Sequence, residues 1–306
     1  MTGLELARQY WDTVGKPAFA ADCPAVLERA AVGLVGEGSE CFGFDDAVSR
    51  DHDWGPGFCV WLTPEDFHAF GAAAQAVYEN LPREFLGFRR LRVSPETAHR
   101  VGVQSVPDFY ARYTGFDRPP HSVREWRMIP ESGLAVVTNG VIFEDPVGEF
   151  TAFRETLLDY YPEQLRRKKL ARACAVAAQA GQYNFSRCLR RGESVAALSA
   201  LAEFVTEIQK AAFLLNRRYA PYYKWTHRAL CALPLLGREL GPELALLAEV
   251  PEGRTARIEK ICAAVIAELQ RQGLSGSGSD FLLDHAAEIQ AGITDPELSR
   301  LHLMAE

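Results

Sequence analysis

The sequence predicts an α+β domain followed by an all-helical domain, and two patterns support this. Over the first half, short apolar segments bounded by Gly, Pro and Asp alternate with helical segments. Over residues 152–272, apolar residues recur every three or four positions, as in the amphipathic helices of a bundle. We therefore expect an α/β-type domain over residues 1–150 and a helical bundle over residues 151–306.

Apolar spacing and turn residues predict the elements of the first domain. Helices are expected at 2–14, 24–29 and 64–81, the last with Thr63 as its cap and a proline in its first turn. Buried strands are expected at 31–35 and 58–62, with shorter strand pieces near 88–93 and 100–106. The apolar run at 134–143, which ends in Glu144 and Asp145, predicts a further strand.

The second domain is predicted to be helical, with turns at 161–162, 191–193 and 251–253. Residues 273–279 are Gly- and Ser-rich, and we expect a flexible hinge there. Short helices are expected after it, over 281–290 and from the Pro-initiated turn at 294–296.

Composition narrows the class of protein. The chain of 306 residues has a net charge of −7, which does not favour a long nucleic acid as partner. Its seven cysteines form no C-x-x-C pair and its seven histidines form no H-x-H or H-E-x-x-H pattern, so zinc chemistry is not expected. We expect reduced thiols, a cytoplasmic location and no membrane-spanning segment.

A Gly-Ser turn and an Asp-x-Asp pair carry the chemistry. Gly38 and Ser39 follow the first predicted strand, where small residues and free backbone N–H groups can hold a phosphate. Asp51 and Asp53 are read as lying on the next strand, where alternate side chains share a face. Two converging carboxylates suit Mg²⁺, so the pattern predicts a metal–triphosphate site. A solvated acidic turn is the alternative.

These residues resemble the signature of the nucleotidyltransferase superfamily typified by DNA polymerase β and the aminoglycoside nucleotidyltransferases. Glu37 and His52 depart from that signature, since both stand where an apolar residue is common. With these departures, the segments at 41–46 and 49–56 look like a bacterial group called domain of unknown function 4037, as do those at 140–145 and 219–225. The resemblance implies a polymerase-β-like mixed sheet with a nucleotidyl-transfer site.

The resemblance also implies a third carboxylate on a later strand, beside the first two. Asp145 and Glu144 are the candidates, and only one of them can share the face of the metal pair. We favour Asp145, which matches the group's Asp after the apolar strand, as metal ligand and as base for the acceptor hydroxyl. The alternative is that both acids only form the turn before Pro146.

A bound triphosphate needs cations beyond the metal. Lys224, which stands among aromatic residues of the helical domain, is the first candidate, and Lys210 is the second. The alternative for Lys224 is a side chain whose stem packs on Trp225.

Together these patterns predict a two-domain enzyme with its active site between the domains. It would use one or two Mg²⁺ ions and a nucleoside triphosphate, ATP first among them, to transfer a nucleotide to a hydroxyl of a small molecule and release pyrophosphate. A homodimer is compatible with these expectations. Two alternatives stay open: nucleotidylation of a protein or RNA, as in antitoxin-type enzymes, and a nucleotide-binding protein without turnover.

Overall fold

The computed structural model of the protein describes residues 1–50, 54–90 and 98–306. The fold is α+β and divides into two compact units, Met1–Asp159 and Tyr160–Glu306. The first unit contains a mixed sheet with helices, whereas the second is helical throughout its length. The division lies nine residues beyond the boundary expected after residue 150, because the helix Glu149–Leu158 continues across that point.

The described part of the first unit contains seven α-helices and six strands, together with shorter 3-10 and π-helical segments. The helices, labelled α1 to α7 in chain order, are Gly3–Tyr10, Lys16–Asp22, Pro64–Asn80, Val106–Thr114, Val123–Met128, Glu131–Val137 and Glu149–Leu158. The strands, β1 to β6, are Ala31–Leu34, Cys59–Leu62, Glu84–Phe85, Phe88–Arg89, Gly102–Ser105 and Val141–Glu144. A π-helical segment, Trp11–Gly15, joins α1 to α2, so the first predicted helix runs further than expected.

The main sheet has the strand order β5-β2-β1-β6. β1 runs antiparallel to both β2 and β6, and β2 runs parallel to β5. All residues of β1 and β2 are buried, as expected for apolar central strands. Trp61 of β2 stacks on Phe150 of α7 with ring centroids 4.1 Å apart, which ties α7 to the sheet. The predicted strands 31–35 and 58–62 are confirmed.

The long strand predicted at 134–145 is wrong over its first part. Residues 134–137 belong to α6, which Pro130 and Glu131 begin as N-cap and first-turn acid. Only Val141–Glu144 pair with β1. Between them Gly140 has a φ of 63°, and a Cβ at this position would collide with the carbonyl oxygen of Leu34, so a side chain would not fit there. An apolar run of this length is ambiguous by periodicity, and the helix-start residues decided it.

The second unit contains seven α-helices. Labelled α8 to α14, they are Glu163–Ala177, Ser186–Arg190, Ser194–Leu215, Tyr223–Cys231, Gly237–Glu249, Arg254–Arg271 and Leu282–Ala291. A π-helical segment, Ala178–Phe185, joins α8 to α9. The turns predicted at 161–162, 191–193 and 251–253 are confirmed, since helices begin or end at each of them. No helix in the described ranges is both long and apolar enough to cross a membrane.

Two neighbouring lysines of α8 hold the last residues of the unit. Lys168 is fully buried, and its Nζ donates to the Oε1 of Gln290 at 2.8 Å and to the carbonyl oxygens of His302 at 2.8 Å and Leu303 at 3.0 Å. Lys169 forms an ion pair with Glu306. Every donor of the buried ammonium thus has an acceptor, which offsets the cost of burying its charge.

The expected hinge at 273–279 is instead a hydrogen-bonded connection. One carboxylate oxygen of Glu288 accepts from the Ser275 hydroxyl at 2.6 Å and from the backbone N–H groups of Gly276 at 2.7 Å and Ser277 at 3.0 Å. The Ser275 hydroxyl also lies 2.9 Å from the Nδ1 of His285, which is buried. Small residues suit this segment because they let successive backbone N–H groups point at the same carboxylate oxygen.

Candidate functional site

Residues 36–39 form the turn that leaves β1, and Asn139 holds its first residue. The Oδ1 of Asn139 accepts from the Gly36 N–H at 3.2 Å, and its Nδ2 donates to the Gly36 carbonyl at 2.7 Å. The Gly140 N–H donates to the Cys41 carbonyl at 2.8 Å. The turn before β6 therefore holds the chain after β1 at two points, Gly36 at the start of the turn and Cys41 just beyond it.

Gly38 and Ser39 begin a short 3-10 helix, Ser39–Phe42. Gly38 is its N-cap, and a side chain at Gly38 would collide with the carboxylate of Glu40. Within the described part of the chain the Ser39 N–H donates no hydrogen bond. A half-buried hydroxyl and an available N–H at one residue suit a phosphate oxygen.

The sheet register brings the start of β2 to the same edge as this turn. Gly33 pairs with Cys59 and Ala31 with Trp61, so the carboxyl end of β1 lies beside the amino end of β2. The chain therefore returns, after the Asp-x-Asp pair, to the edge where it left β1. Asp51 and Asp53 themselves lie outside the described residues. In the ranges that are described, no group of three or more His, Cys, Asp or Glu side chains is arranged to hold a metal ion.

The two aspartates that precede this pair, Asp45 and Asp46, accept hydrogen bonds that hold nearby parts of the chain. One oxygen of Asp45 accepts from the Gly3 N–H at 2.8 Å and from the Trp54 indole N–H at 3.1 Å. Asp46 accepts from the backbone N–H groups of Val48 at 2.9 Å and Ser49 at 3.1 Å. Asp45 thereby ties the amino terminus of α1 to the segment that enters β2, and Asp46 closes a turn.

Asp145 is not brought to the Gly-Ser turn. Glu144 pairs with Val32 near the start of β1, so β1, about 10 Å long, separates Asp145 from residues 36–39. Asp145 accepts from the Gly148 N–H at 2.9 Å, the Thr151 N–H at 2.8 Å and the Thr151 hydroxyl at 2.6 Å. Both of its oxygens therefore support the first turn of α7.

The carboxylate of Glu144 also accepts hydrogen bonds from other parts of the first unit. Its Oε1 accepts from the Lys16 ammonium at 2.7 Å and from the Trp11 indole at 3.1 Å. Burial acts to raise the pKa of Glu144, but the hydrogen bonds and the charge of Lys16 outweigh it, so the pKa is lowered. Glu144 ties β6 to the N-terminal helices.

Sequence reasoning missed Glu40, Tyr113 and Asn139 near the Gly-Ser turn. Glu40 is buried beside Gly38. Burial, followed by the negative charge of Glu37, raises the pKa of the Tyr113 hydroxyl, which keeps that phenol neutral. The Asn-Gly pair at 139–140 is a recognised turn signal, but the partner of Asn139 is 103 residues distant in sequence. No local pattern identifies Glu40 or Tyr113.

Two buried thiols lie under the turn. Burial raises the pKa of Cys59 to about 12. Burial, together with the charge of Glu40, raises the pKa of Cys41 well above its usual range, and Arg100 opposes this. Both thiols are protonated at neutral pH, so neither is an activated nucleophile.

The two lysines expected at the triphosphate lie in the second unit. The Nζ of Lys210 pairs with Glu207 at 2.8 Å, and that buried carboxylate also binds Arg172 at 2.9 Å. Lys210 thus has a structural partner. Lys224 is exposed in the first turn of α11 and forms no ion pair among the residues that the structure describes.

Comparison with known proteins confirms the resemblance to the bacterial group. Residues 126–226, about a third of the chain, match the model of the family described as domain of unknown function (DUF4037). That segment runs from α5 into α11 and includes Asn139, Asp145 and Lys224.

Other comparisons are weaker. The chain is similar to the crystal structure of a nucleotidyltransferase-like protein from Exiguobacterium sibiricum 255-15, with 14% identity, coverage of 88% of this chain and 76% of that one, and a TM-score of 0.33. A TM-score of this size carries no inference about the site. Among curated proteins no significant match is found.

Proposed function

We propose that the protein is a Mg²⁺-dependent nucleotidyltransferase that moves a nucleoside monophosphate, AMP from ATP, to a hydroxyl of a small molecule. One observation carries the proposal. The Gly-Ser turn, held by Asn139, lies at the edge of the sheet where β2 begins, six residues after Asp53. The strand register therefore supports a proposal that the site lies at this edge of the sheet.

In this proposal one group of residues would bind the phosphates and another would bind the metal. Ser39 would bind a terminal phosphate through its hydroxyl and N–H, and Gly38 would let that phosphate approach the backbone. Asp51 and Asp53 would hold the Mg²⁺, which, when bound, stabilises the charge of the attacking and leaving oxygens. Their donor type suits this metal, since Mg²⁺ prefers a few carboxylates.

The transfer itself is a displacement at the α-phosphorus. The acceptor oxygen forms a bond to that phosphorus, the bond to the bridging oxygen of the β-phosphate breaks, and pyrophosphate leaves with the electron pair. The hydroxyl proton must pass to a carboxylate or to water. Asp145 remains a predicted base without structural support, since it would have to give up three hydrogen bonds to act. The role of Lys224 at the triphosphate also stays a prediction.

A thermal-shift titration tests the proposal. ATP with Mg²⁺, at about 100 times the Kd of the metal-dependent site, should add about 2.7 kcal/mol to the free energy of unfolding, a gain measured relative to the same ATP concentration in EDTA. The double variant Asp51→Ala/Asp53→Ala should lose the gain, whereas Asp22→Ala, an exposed aspartate at the end of α2, should keep it.

Pyrophosphate release with a panel of hydroxyl compounds then separates an enzyme from a nucleotide-binding protein. Release that depends on the acceptor and on Asp51 and Asp53 supports transfer. If ATP gives no Mg²⁺-dependent stabilisation, or if the double variant behaves as the wild type does, the proposal is wrong.

A further inference from the structure

One surface of the second unit combines positive charge with exposed aromatic rings. Residues 208–238 contain no Asp or Glu although the chain as a whole carries a net charge of −7. The 31 residues hold six cations, Lys210, Arg217, Arg218, Lys224, Arg228 and Arg238. Lys210 pairs with Glu207 and Arg217 with Glu163. Within the described ranges, Arg218, Lys224 and Arg238 form no ion pair, so their charges are not neutralised there.

Tyr222 and Tyr223, at the start of α11, are the exposed rings. Their side chains are 55% and 75% accessible to solvent, and their ring centroids are 4.4 Å apart. Lys224 follows them directly, and Arg228 lies one helical turn beyond Lys224 on the same side of α11. We call Tyr222, Tyr223, Lys224 and Arg228 the tyrosine–lysine surface.

The backbone beneath this surface is firmly held. Tyr219 stacks on Tyr160 with centroids 4.8 Å apart, and the Tyr160 hydroxyl donates to the Arg218 carbonyl at 3.2 Å. The Thr226 hydroxyl donates to the Pro221 carbonyl at 2.9 Å, and Pro221 is buried. The exposed tyrosines therefore stand on a fixed turn, so a ligand need not order the backbone when it binds.

We infer that the tyrosine–lysine surface binds a nucleoside phosphate, with the base against Tyr222 and Tyr223 and the phosphate at Lys224 and Arg228. Exposed aromatic rings offer a face to any nucleobase, and neighbouring cations bind its phosphate. The charge of Lys224, which no carboxylate in the described ranges neutralises, favours an anion. The net negative charge of the chain favours a mononucleotide over a polynucleotide. The inference does not depend on the proposed transfer reaction.

Equilibrium binding of AMP and ATP to the full chain in EDTA tests this. The Asp51→Ala/Asp53→Ala variant is used so that the Gly-Ser turn contributes no metal-dependent binding. We expect both nucleotides to bind, and inorganic phosphate and adenosine each to bind more weakly. Lys224→Met and Tyr223→Ala should each raise Kd about tenfold.

Two matched controls lie elsewhere in the same unit. Tyr183→Ala removes a ring that is 45% exposed, and Lys260→Met removes a solvent-exposed lysine of α13 whose ammonium pairs with Glu243 at 2.6 Å. Neither should change Kd. The far-ultraviolet circular dichroism of every variant confirms that the helices are intact.

Three results would overturn the inference. The first is nucleotide binding that requires Mg²⁺ and disappears with Asp51 and Asp53. The second is an equal nucleotide affinity in the Asp51→Ala/Asp53→Ala variant with and without the further change Tyr223→Ala. The third is a sedimenting mass that falls in the Tyr222→Ala/Tyr223→Ala variant without any nucleotide binding, which would make the surface a contact between chains. If binding in EDTA persists while no Mg²⁺-dependent stabilisation by ATP is seen, only the proposed transferase fails.

Discussion

Asn139 satisfies both backbone groups of Gly36 with one side-chain amide. The second unit uses the same arrangement, since Asn216 donates to the Leu235 carbonyl at 2.9 Å and accepts from its N–H at 2.9 Å. An amide side chain can replace a neighbouring strand in this way because it carries one acceptor and two donors. At Gly36 the arrangement sets where the turn after β1 begins.

Replacing Asn139 by Ala should lower the free energy of unfolding by about 1–3 kcal/mol, because two half-buried backbone groups lose their partners. It should also weaken Mg²⁺-dependent ATP binding, because residues 36–39 lose their fixed position. Urea denaturation and the thermal-shift titration measure the two effects.

Asn216→Ala is the matched control, with a similar loss of stability and an unchanged ATP Kd. If both variants leave ATP binding intact, Asn139 contributes only to stability.

Substitution of Asp145 distinguishes its two possible roles, capping of α7 and binding of the metal. As a cap, Asp145→Ala removes three hydrogen bonds at the start of α7 and should cost about 1–2 kcal/mol while Mg²⁺-dependent stabilisation by ATP persists. Thr151→Val, which removes one of those bonds, should reproduce part of the cost. Loss of the Mg²⁺ effect in Asp145→Ala but not in Thr151→Val would instead restore Asp145 to the metal site.

At the scale of elements, three arginines surround Glu163 at the start of α8. Arg166, Arg167 and Arg217 approach its carboxylate at 2.8, 3.0 and 2.7 Å. Burial acts to raise the pKa of Glu163, but these hydrogen bonds and charges outweigh it and hold the pKa at about 2. Arg166 is itself buried, so the ion pair between Arg166 and Glu163 is also part of the core of the second unit.

The lowered pKa has a consequence for acid stability. A carboxyl whose pKa is lower in the folded state stabilises that state above its unfolded pKa of 4.5, and the contribution is lost as the pH falls towards 2. Glu163→Gln should therefore flatten the dependence of unfolding free energy on pH between about 4.5 and 2. Denaturant titrations across that range measure the slope. Glu203→Gln, at an exposed position of α10, should leave the slope unchanged.

Elements with a strong local signal were predictable, and those decided by distant contacts were not. β1, β2 and α3 are confirmed because apolar runs and the Thr63 cap specify them locally. Residues 134–137 were misread because an apolar run suits a strand or a buried helix equally. The segment at 273–279 was misread as a hinge because Glu288, the acceptor that holds it, lies on another element.

At the scale of the whole molecule, the apolar patterns of the sequence predicted the change from mixed to helical structure. The α+β class was predictable for the same reason. The separation of Asp145 from the Gly-Ser turn was not readable, because it depends on β6 running antiparallel to β1. Sequence spacing alone cannot tell which end of a strand lies beside its neighbour. The turn after β1 was predictable because Gly38 and Ser39 are local signals, whereas phosphate binding there stays a prediction.

Lys168 also links the order of synthesis to folding. Its acceptors at His302 and Leu303 are made 134 and 135 residues after it. Until those carbonyls have left the ribosome, the ammonium must keep its shell of water, because an unpaired charge in an apolar interior is costly. The core of the helical unit around Lys168 is therefore completed late in translation. A chain that stalls before residue 302 would leave this part of the core hydrated and accessible to chaperones and proteases.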